Sequence, residues 1–249
     1  MTKIYPEIRA ELESVFGWTL NIKPSILLIK DSEILKRAAV NPLTVAFAVP
    51  DRNVIVIDYS RMNVYPLSLP AILKHELCHL MLHHHINRSV LPRWLDEGIC
   101  QWASDGIADI IMDQKRSYLN RAALRGVFIR LDALQKEFPY EKELHLLAYE
   151  ESKDIVIYII KNYGKKAMFK TLGHMKDGKN VNTAFLEGLS ISVNDLEKKW
   201  HNSLRQKLTW FAYFSYHLYD ILFALMGLIM IWAAVKIILR KRDDMETLE

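Results

Sequence analysis

The run His75-Glu76-Leu77-Cys78-His79 combines residue types and a spacing that can do chemistry together. Two histidines four residues apart on an α-helix differ by about 40° around its axis, so both imidazoles can address one ion. Glu76 follows the first histidine and reaches the adjoining side, where its carboxylate can serve a water bound to that ion. Such a donor set suits zinc, and a catalytic zinc needs a third protein ligand and an open fourth position. The stretch Pro92-Arg93-Trp94-Leu95-Asp96-Glu97-Gly98 brings carboxylates into range, Glu97 lying eighteen residues after His79. That distance lets one helix end, the chain turn through Asn87 to Pro92, and a second helix return its first turn to the ion. Spacing alone allows either Asp96 or Glu97.

These residues need rigid elements to hold them. Residues 6–16 read as an amphipathic helix stopped by Gly17. Ile26–Ile29 suits a buried strand, and Ser32 can cap a helix over 33–39. Val45–Val49 and Val54–Asp58, separated by Pro50-Asp51-Arg52-Asn53, give a hairpin signal. From Ser68 onward the pattern is helical, over about 68–86, 93–104, 115–137, 144–163, 165–176, 181–188 and 193–208. The flanks of the motif (Ile72, Leu73, Leu77, Cys78, Leu80, Met81) are uncharged and mostly apolar, as a helix buried beneath a metal site requires, and only Lys74 among them is charged. The fold class is α+β: a small N-terminal sheet followed by a helical region.

With HELCHLMLHH followed by LPRWLDEGICQW, the chain resembles the peptidase MA-like family of gluzincin zinc metallopeptidases, whose pattern is an HExxH helix and then a PxWLxEG segment bearing the glutamate ligand. The likeness continues in order through Ala148-Tyr149-Glu150-Glu151-Ser152, Tyr163-Gly164, Gly178, Ala184-Phe185 and Leu196 to Trp200, covering about residues 5–205. The zinc-site motifs are highly specific; the downstream matches are individually weak. The resemblance implies a zincin-like fold in which His75, His79 and Glu97, rather than Asp96, hold one Zn²⁺ per chain. It further implies that Glu76 is the general base taking a proton from the metal-activated water. Gln101, one turn after Glu97, is a candidate to orient a ligand histidine through its amide oxygen, where many gluzincins have a carboxylate. Tyr149 is a candidate donor to the tetrahedral oxyanion, with an aromatic packing role as the alternative. The expected substrate is a peptide or protein. Two other classes fit the same residues: a catalytically silent, metal-stabilised interaction module, and a zinc hydrolase of a non-peptide amide. Retention of Glu76 favours catalysis, because a structural zinc needs no base.

The remaining residues bound the partners. The 249 residues are 51% hydrophobic and 25% charged with two cysteines, which excludes disordered, collagenous and disulfide-stapled classes. A net charge of +4, partly gathered at Arg240, Lys241 and Arg242, argues against nucleic-acid binding. His83, His84 and His85 are expected to complement the helix dipole rather than bind a second metal. Cys78 and Cys100 are expected to be buried thiols. No apolar run follows Lys3, so a signal peptide is not expected. Ile221–Leu239, broken only by Lys236, would span about 28 Å as a helix, close to the hydrocarbon thickness. The expected organisation is a metallopeptidase domain over 1–208, a juxtamembrane aromatic segment over 209–220, a transmembrane helix over 221–239 in contact with the lipid bilayer, and a charged tail over 240–249. The catalytic domain is expected to face the cytoplasm.

Overall fold

A computed structural model describes residues 4–38, 41–62, 67–105 and 117–216, together with 218, 222–233 and 236. The chain divides into two compact units, residues 1–202 and 203–249.

The first unit is mixed α+β, as expected. Helix α1 (Ile4–Phe16) buries Ile8, Leu12 and Phe16 and ends at Gly17. Strand β1 (Ser25–Ile29) and helix α2 (Ser32–Ala38) lead to the hairpin of β2 (Ala46–Val49) and β3 (Val54–Asp58), which pair antiparallel. The turn between them is a short 3₁₀ segment closed by Asn53 in the left-handed region, a conformation asparagine tolerates. β1 pairs parallel with β3, giving the order β1-β3-β2 and leaving β2 at an edge.

Helix α3 (Leu69–His85) packs on α1, β2, β3 and α4 (Arg93–Ala103). Its start is fixed by Ser68, whose hydroxyl accepts from Ala71 N, and by Pro70 in the first turn, where a missing N–H costs nothing. The continuous run Ile72–Leu82 is buried, and Lys74 survives within it by pairing with Glu11 of α1 at 2.6 Å. α4 lies against α6 (Lys142–Tyr163), with α5 (Tyr118–Arg125), α7 (Lys165–Lys176), α8 (Val181–Leu189) and the first turns of α9 (Val193–Tyr216) completing the helical part. Trp200 of α9 donates its indole N–H to Asp154 of α6 at 2.7 Å.

Where α4 meets α6, Gly98 is the contact that allows the approach: a Cβ there would stand 2.1 Å from the Ser152 carbonyl oxygen and 2.7 Å from Val156 Cγ2. Gly98→Ala must therefore push apart the helix bearing Asp96 and Glu97. Overpacking of this kind costs about 1–3 kcal/mol, so melting is expected on the order of 5–10 °C lower, with weaker metal retention. An unchanged melting temperature would show that α6 yields at no cost.

One expected helix is corrected. Residues 115–137 do not form a single helix: 115 and 116 lie outside the described residues, α5 ends at Arg125, and 126–137 are irregular. Gly126 adopts φ 68° and closes α5 by donating back to Ala122 and Ala123, with Val127 N donating to Ala122 O. Beyond it, two backbone donors go to distant carboxylates, and only Ala133 N and Leu134 N make local turn bonds among the backbone pairs seen there, to Arg130 O and Leu131 O. Ile129 N donates to Glu151 and Leu131 N to Glu197. This strap ends by capping α4, because Leu134 O and Gln135 O accept from Trp94 N and Arg93 N. α4 has no side-chain N-cap, so the strap satisfies first-turn donors that would otherwise be orphaned.

Burial, with Glu197 and Glu150 nearby, pushes the Glu151 carboxyl up to about 8 despite the Ile129 bond. A folded-state pKa above the unfolded value means a native state that holds the proton more tightly. Its contribution to stability is full below the ordinary carboxyl pKa and is lost as pH rises to about 8. Glu151→Gln keeps an acceptor for Ile129 and cannot titrate, so its thermal stability should be flatter than the wild type's between about pH 5 and 8. A variant whose melting temperature falls as steeply would remove Glu151 as the source.

In the second unit α9 runs to Tyr216, past the expected end at 208 and through much of the expected juxtamembrane segment. Residues 222–233 are helical, and the apolar side chains of Leu222, Phe223, Leu225, Met226, Leu228, Ile229, Met230, Ile231 and Trp232 are exposed. Among the described residues no helix is long and apolar enough to cross a membrane. Residues 221, 234, 235 and 237–239 of the expected span lie outside the described residues.

Candidate metal centre

His75, His79 and His83 recur every four residues along α3 and form a stripe facing α4. From α4, Asp96 and Glu97 point back at it. His75 Nε2 and His79 Nε2 are 3.1 Å apart, and Glu97 Oε2 lies 3.5 Å from the first and 3.7 Å from the second. His75, Glu76 and Glu97 have no exposed surface, and His79 has 6%.

The second nitrogen of each imidazole is already engaged. Asp96 Oδ1 stands 2.8 Å from His79 Nδ1, and a carboxylate can only accept, so the proton belongs on Nδ1 and the lone pair on Nε2. His75 Nδ1 lies 3.4 Å from Ser104 Oγ, whose hydroxyl donates to Cys100 O at 2.7 Å and so accepts from the ring. With the tautomers assigned this way, two imidazole lone pairs and a carboxylate oxygen converge on one point. Zinc bonds of 2.0–2.1 Å at tetrahedral angles would set ligand atoms about 3.3 Å apart, and the three separations bracket that value. The donor set therefore fits a zinc-sized cation.

Charge gives the same answer. Glu76, Asp96 and Glu97 are all buried, and the Arg93 guanidinium places its Nη2 2.5 Å from Glu97 Oε1. Burial opposes ionisation of Glu97, but Arg93, His79 and His75 bring its pKa down to about 2. Burial likewise opposes the Asp96 carboxylate, yet His79 and His83 hold it well below the usual range. His79 is disfavoured as a cation by burial, and the fields of Asp96, Glu97 and Glu76 overcome this and raise its pKa well above the ordinary value. Positive charge is drawn to the point where the three donors meet.

Several further residues turn out to build this centre. Asp96 is a bridge: Oδ1 meets His79, and Oδ2 meets His83 Nε2 at 3.0 Å. His83, expected only to complement the helix dipole, is thus the second partner of the carboxylate that orients His79. Its spacing from His79 was the available signal, as was the i,i+4 relation of Arg93 to Glu97. Gln101 is corrected: its Nε2 donates to Tyr149 O at 3.1 Å, and its amide oxygen, buried, meets neither histidine. The orienting contacts come from Asp96 and Ser104. Cys78 and Cys100 are buried free thiols, and burial together with the neighbouring Cys78 raises the Cys100 pKa well above the ordinary value. Cys100 Sγ lies 3.5 Å from His79 Nδ1, and His79, Asp96 and Cys100 also stand close enough to hold an ion. Tyr149 is 2% exposed, edge-on to Phe138 at 5.1 Å and tilted to His145 at 5.3 Å, and it is not among the residues lining the cleft.

The centre opens on one side into a cleft of about 840 Å³. Glu76, His79, His83 and Asp96 form its floor, β2 residues Phe47–Val49 one border, and Arg93 with strap residues Gln135–Glu137 another.

A family profile described as Peptidase MA superfamily matches residues 11–206, which include every residue of the centre. The chain belongs to the peptidase MA superfamily. No curated protein and no solved structure matches it significantly. Peptidase MA members are generally metal-dependent, and the match extends through the strap and the first turns of α9, so it takes in the elements that cap and support α4 as well as the ligand-bearing helices.

Proposed function

We propose that the chain is a zinc-dependent peptidase in which His75, His79 and Glu97 hold the metal and Glu76 is the general base. The observation that carries this reading is the convergence of three buried donor atoms within 3.1–3.7 Å, beside a cleft that His79 and Glu76 both line. Bound there, zinc would supply Lewis acidity, lowering the pKa of a water and polarising a carbonyl. The Glu76 carboxylate takes a proton from the attacking water and passes it to the leaving amine nitrogen. Asp96 keeps the His79 proton on Nδ1 and so keeps Nε2 available to the metal. Tyr149 has no part in the steps assigned, given its place among Phe138 and His145.

A peptide substrate is favoured over another amide by the edge strand. Asp58 N donates to Val45 O, and hydrogen-bonded pairs recur at every second residue, so Ala48 turns its N–H and C=O toward the open edge beside the cleft. An extended peptide can add there as a further strand. A silent interaction module is disfavoured by a buried carboxylate at position 76 that no structural metal requires.

Residues 221–239 are proposed as a membrane anchor with the catalytic unit in the cytoplasm. Support for the anchor comes from the exposed apolar side chains of Leu222 to Trp232. Protease added to intact cells or spheroplasts should spare the catalytic unit; its digestion would reverse the orientation. For the activity, a peptide library should be cleaved by the purified chain, lose cleavage with a chelator and regain it with zinc. Cleavage indifferent to chelation would sink the metal-dependent mechanism.

A further inference from the structure

Arg93 stands one turn before Glu97 on α4, and its Nη2 meets Oε1 of Glu97 at 2.5 Å while Oε2 of the same carboxylate faces His75 and His79. The two oxygens are therefore divided between two partners. Arg93 lines the cleft, and its side chain is 38% exposed, so it reaches the carboxylate from the solvent side. A carboxylate free at both oxygens can bind a cation through either one or both, and a bidentate hold takes a coordination position that a catalytic zinc keeps open. The contact is a close ion pair rather than an aligned hydrogen bond, and a guanidinium held that near one oxygen opposes that oxygen's binding a second cation.

We propose that Arg93 is a positioning residue that withholds Glu97 Oε1, confines Glu97 to one oxygen toward the metal, and so preserves the open position on which turnover depends. The proposal rests on the metal-centre reading above. It differs from a substrate-binding role, in which the guanidinium would act on the peptide, and from a purely structural one, in which it would only steady α4. The strap already steadies that end of the helix through Arg93 N and Trp94 N, which bond to Gln135 O and Leu134 O without the side chain.

Cobalt(II) makes the difference visible, because its visible bands are intense when four-coordinate and weaken several-fold when a fifth donor binds. Full-length wild type, Arg93→Gln and Arg93→Lys would be loaded with cobalt and examined by absorption, then with zinc for kinetics and metal content. Arg93→Gln should keep about one metal per chain, show the weakened bands and lose kcat by about 10- to 100-fold, the range typical when a residue supporting a metal ligand is changed, with KM little altered. Arg93→Lys keeps a cationic donor for Oε1 and should restore the wild-type bands. Arg93→Gln with unchanged bands and a raised KM would overturn the proposal in favour of substrate contact, and loss of metal without a change in band intensity per bound cobalt would overturn it in favour of a structural role. A wild type that binds no cobalt would overturn the metal centre itself and this proposal with it.

Discussion

Replacing Glu76 with glutamine is expected to lower peptide hydrolysis by about 10²- to 10⁴-fold while the protein keeps about one zinc per chain, because removing a general base typically costs that much. In barrier terms this is about 2.7–5.5 kcal/mol. Glutamine is the informative substitution because Glu76 has no exposed surface, so a shorter residue would open a hole beside His75 and confound chemistry with packing. The proposed ligands are His75, His79 and Glu97, so metal content should not follow activity. Losing one buried negative charge near His79 should weaken zinc retention only slightly, because all three proposed ligands remain. Metal analysis beside a hydrolysis assay separates the two quantities. Hydrolysis at the wild-type rate would defeat the mechanism. Activity and zinc lost together would make Glu76 part of the metal's support instead of the base.

What the sequence made legible is what local rules determine. α3 and α4 were readable from the spacing of their buried residues, and α3 also from its Ser68 cap and Pro70. The hairpin was readable from its turn residues, down to the antiparallel pairing of β2 with β3. The parallel pairing of β1 with β3 was not, since nothing local in Ser25–Ile29 specifies a partner some thirty residues on. The strap was misread as helix for a related reason. Two of its donors, Ile129 N and Leu131 N, are captured by Glu151 and Glu197, which lie 22 and 66 positions away in the chain, and no window over 115–137 contains them. At the centre, helical spacing and the family pattern pointed to His75, His79 and Glu97. The orienting contacts were hidden because Asp96 was weighed only as a rival ligand, and Ser104 reaches His75 only once α3 and α4 are packed. Gln101, chosen by analogy with its position one turn after Glu97, bonds to α6 instead.

That bridging role changes what the two adjacent carboxylates should do when altered. Glu97→Ala removes a charged donor from the triangle and leaves two imidazoles and the Arg93 guanidinium, so zinc affinity should fall furthest there. Asp96 does not face the point where the three donors meet, yet changing it is not neutral. In Asp96→Asn the amide oxygen can still accept from His79 Nδ1, but the charge that fixes the tautomer and raises the basicity of Nε2 is gone, and His83 loses its anionic partner. Partners of this kind are worth about 10- to 100-fold in metal affinity, so the expected order of zinc binding is wild type, then Asp96→Asn weaker by about that factor, then Glu97→Ala weaker still. Competition with a chromophoric chelator at fixed pH measures all three on one scale. Asp96→Asn binding as tightly as wild type would mean that His79 needs no orienting carboxylate. The reverse order, with Asp96→Asn losing zinc that Glu97→Ala retains, would transfer the ligand role to Asp96 and leave Glu97 as the supporting carboxylate.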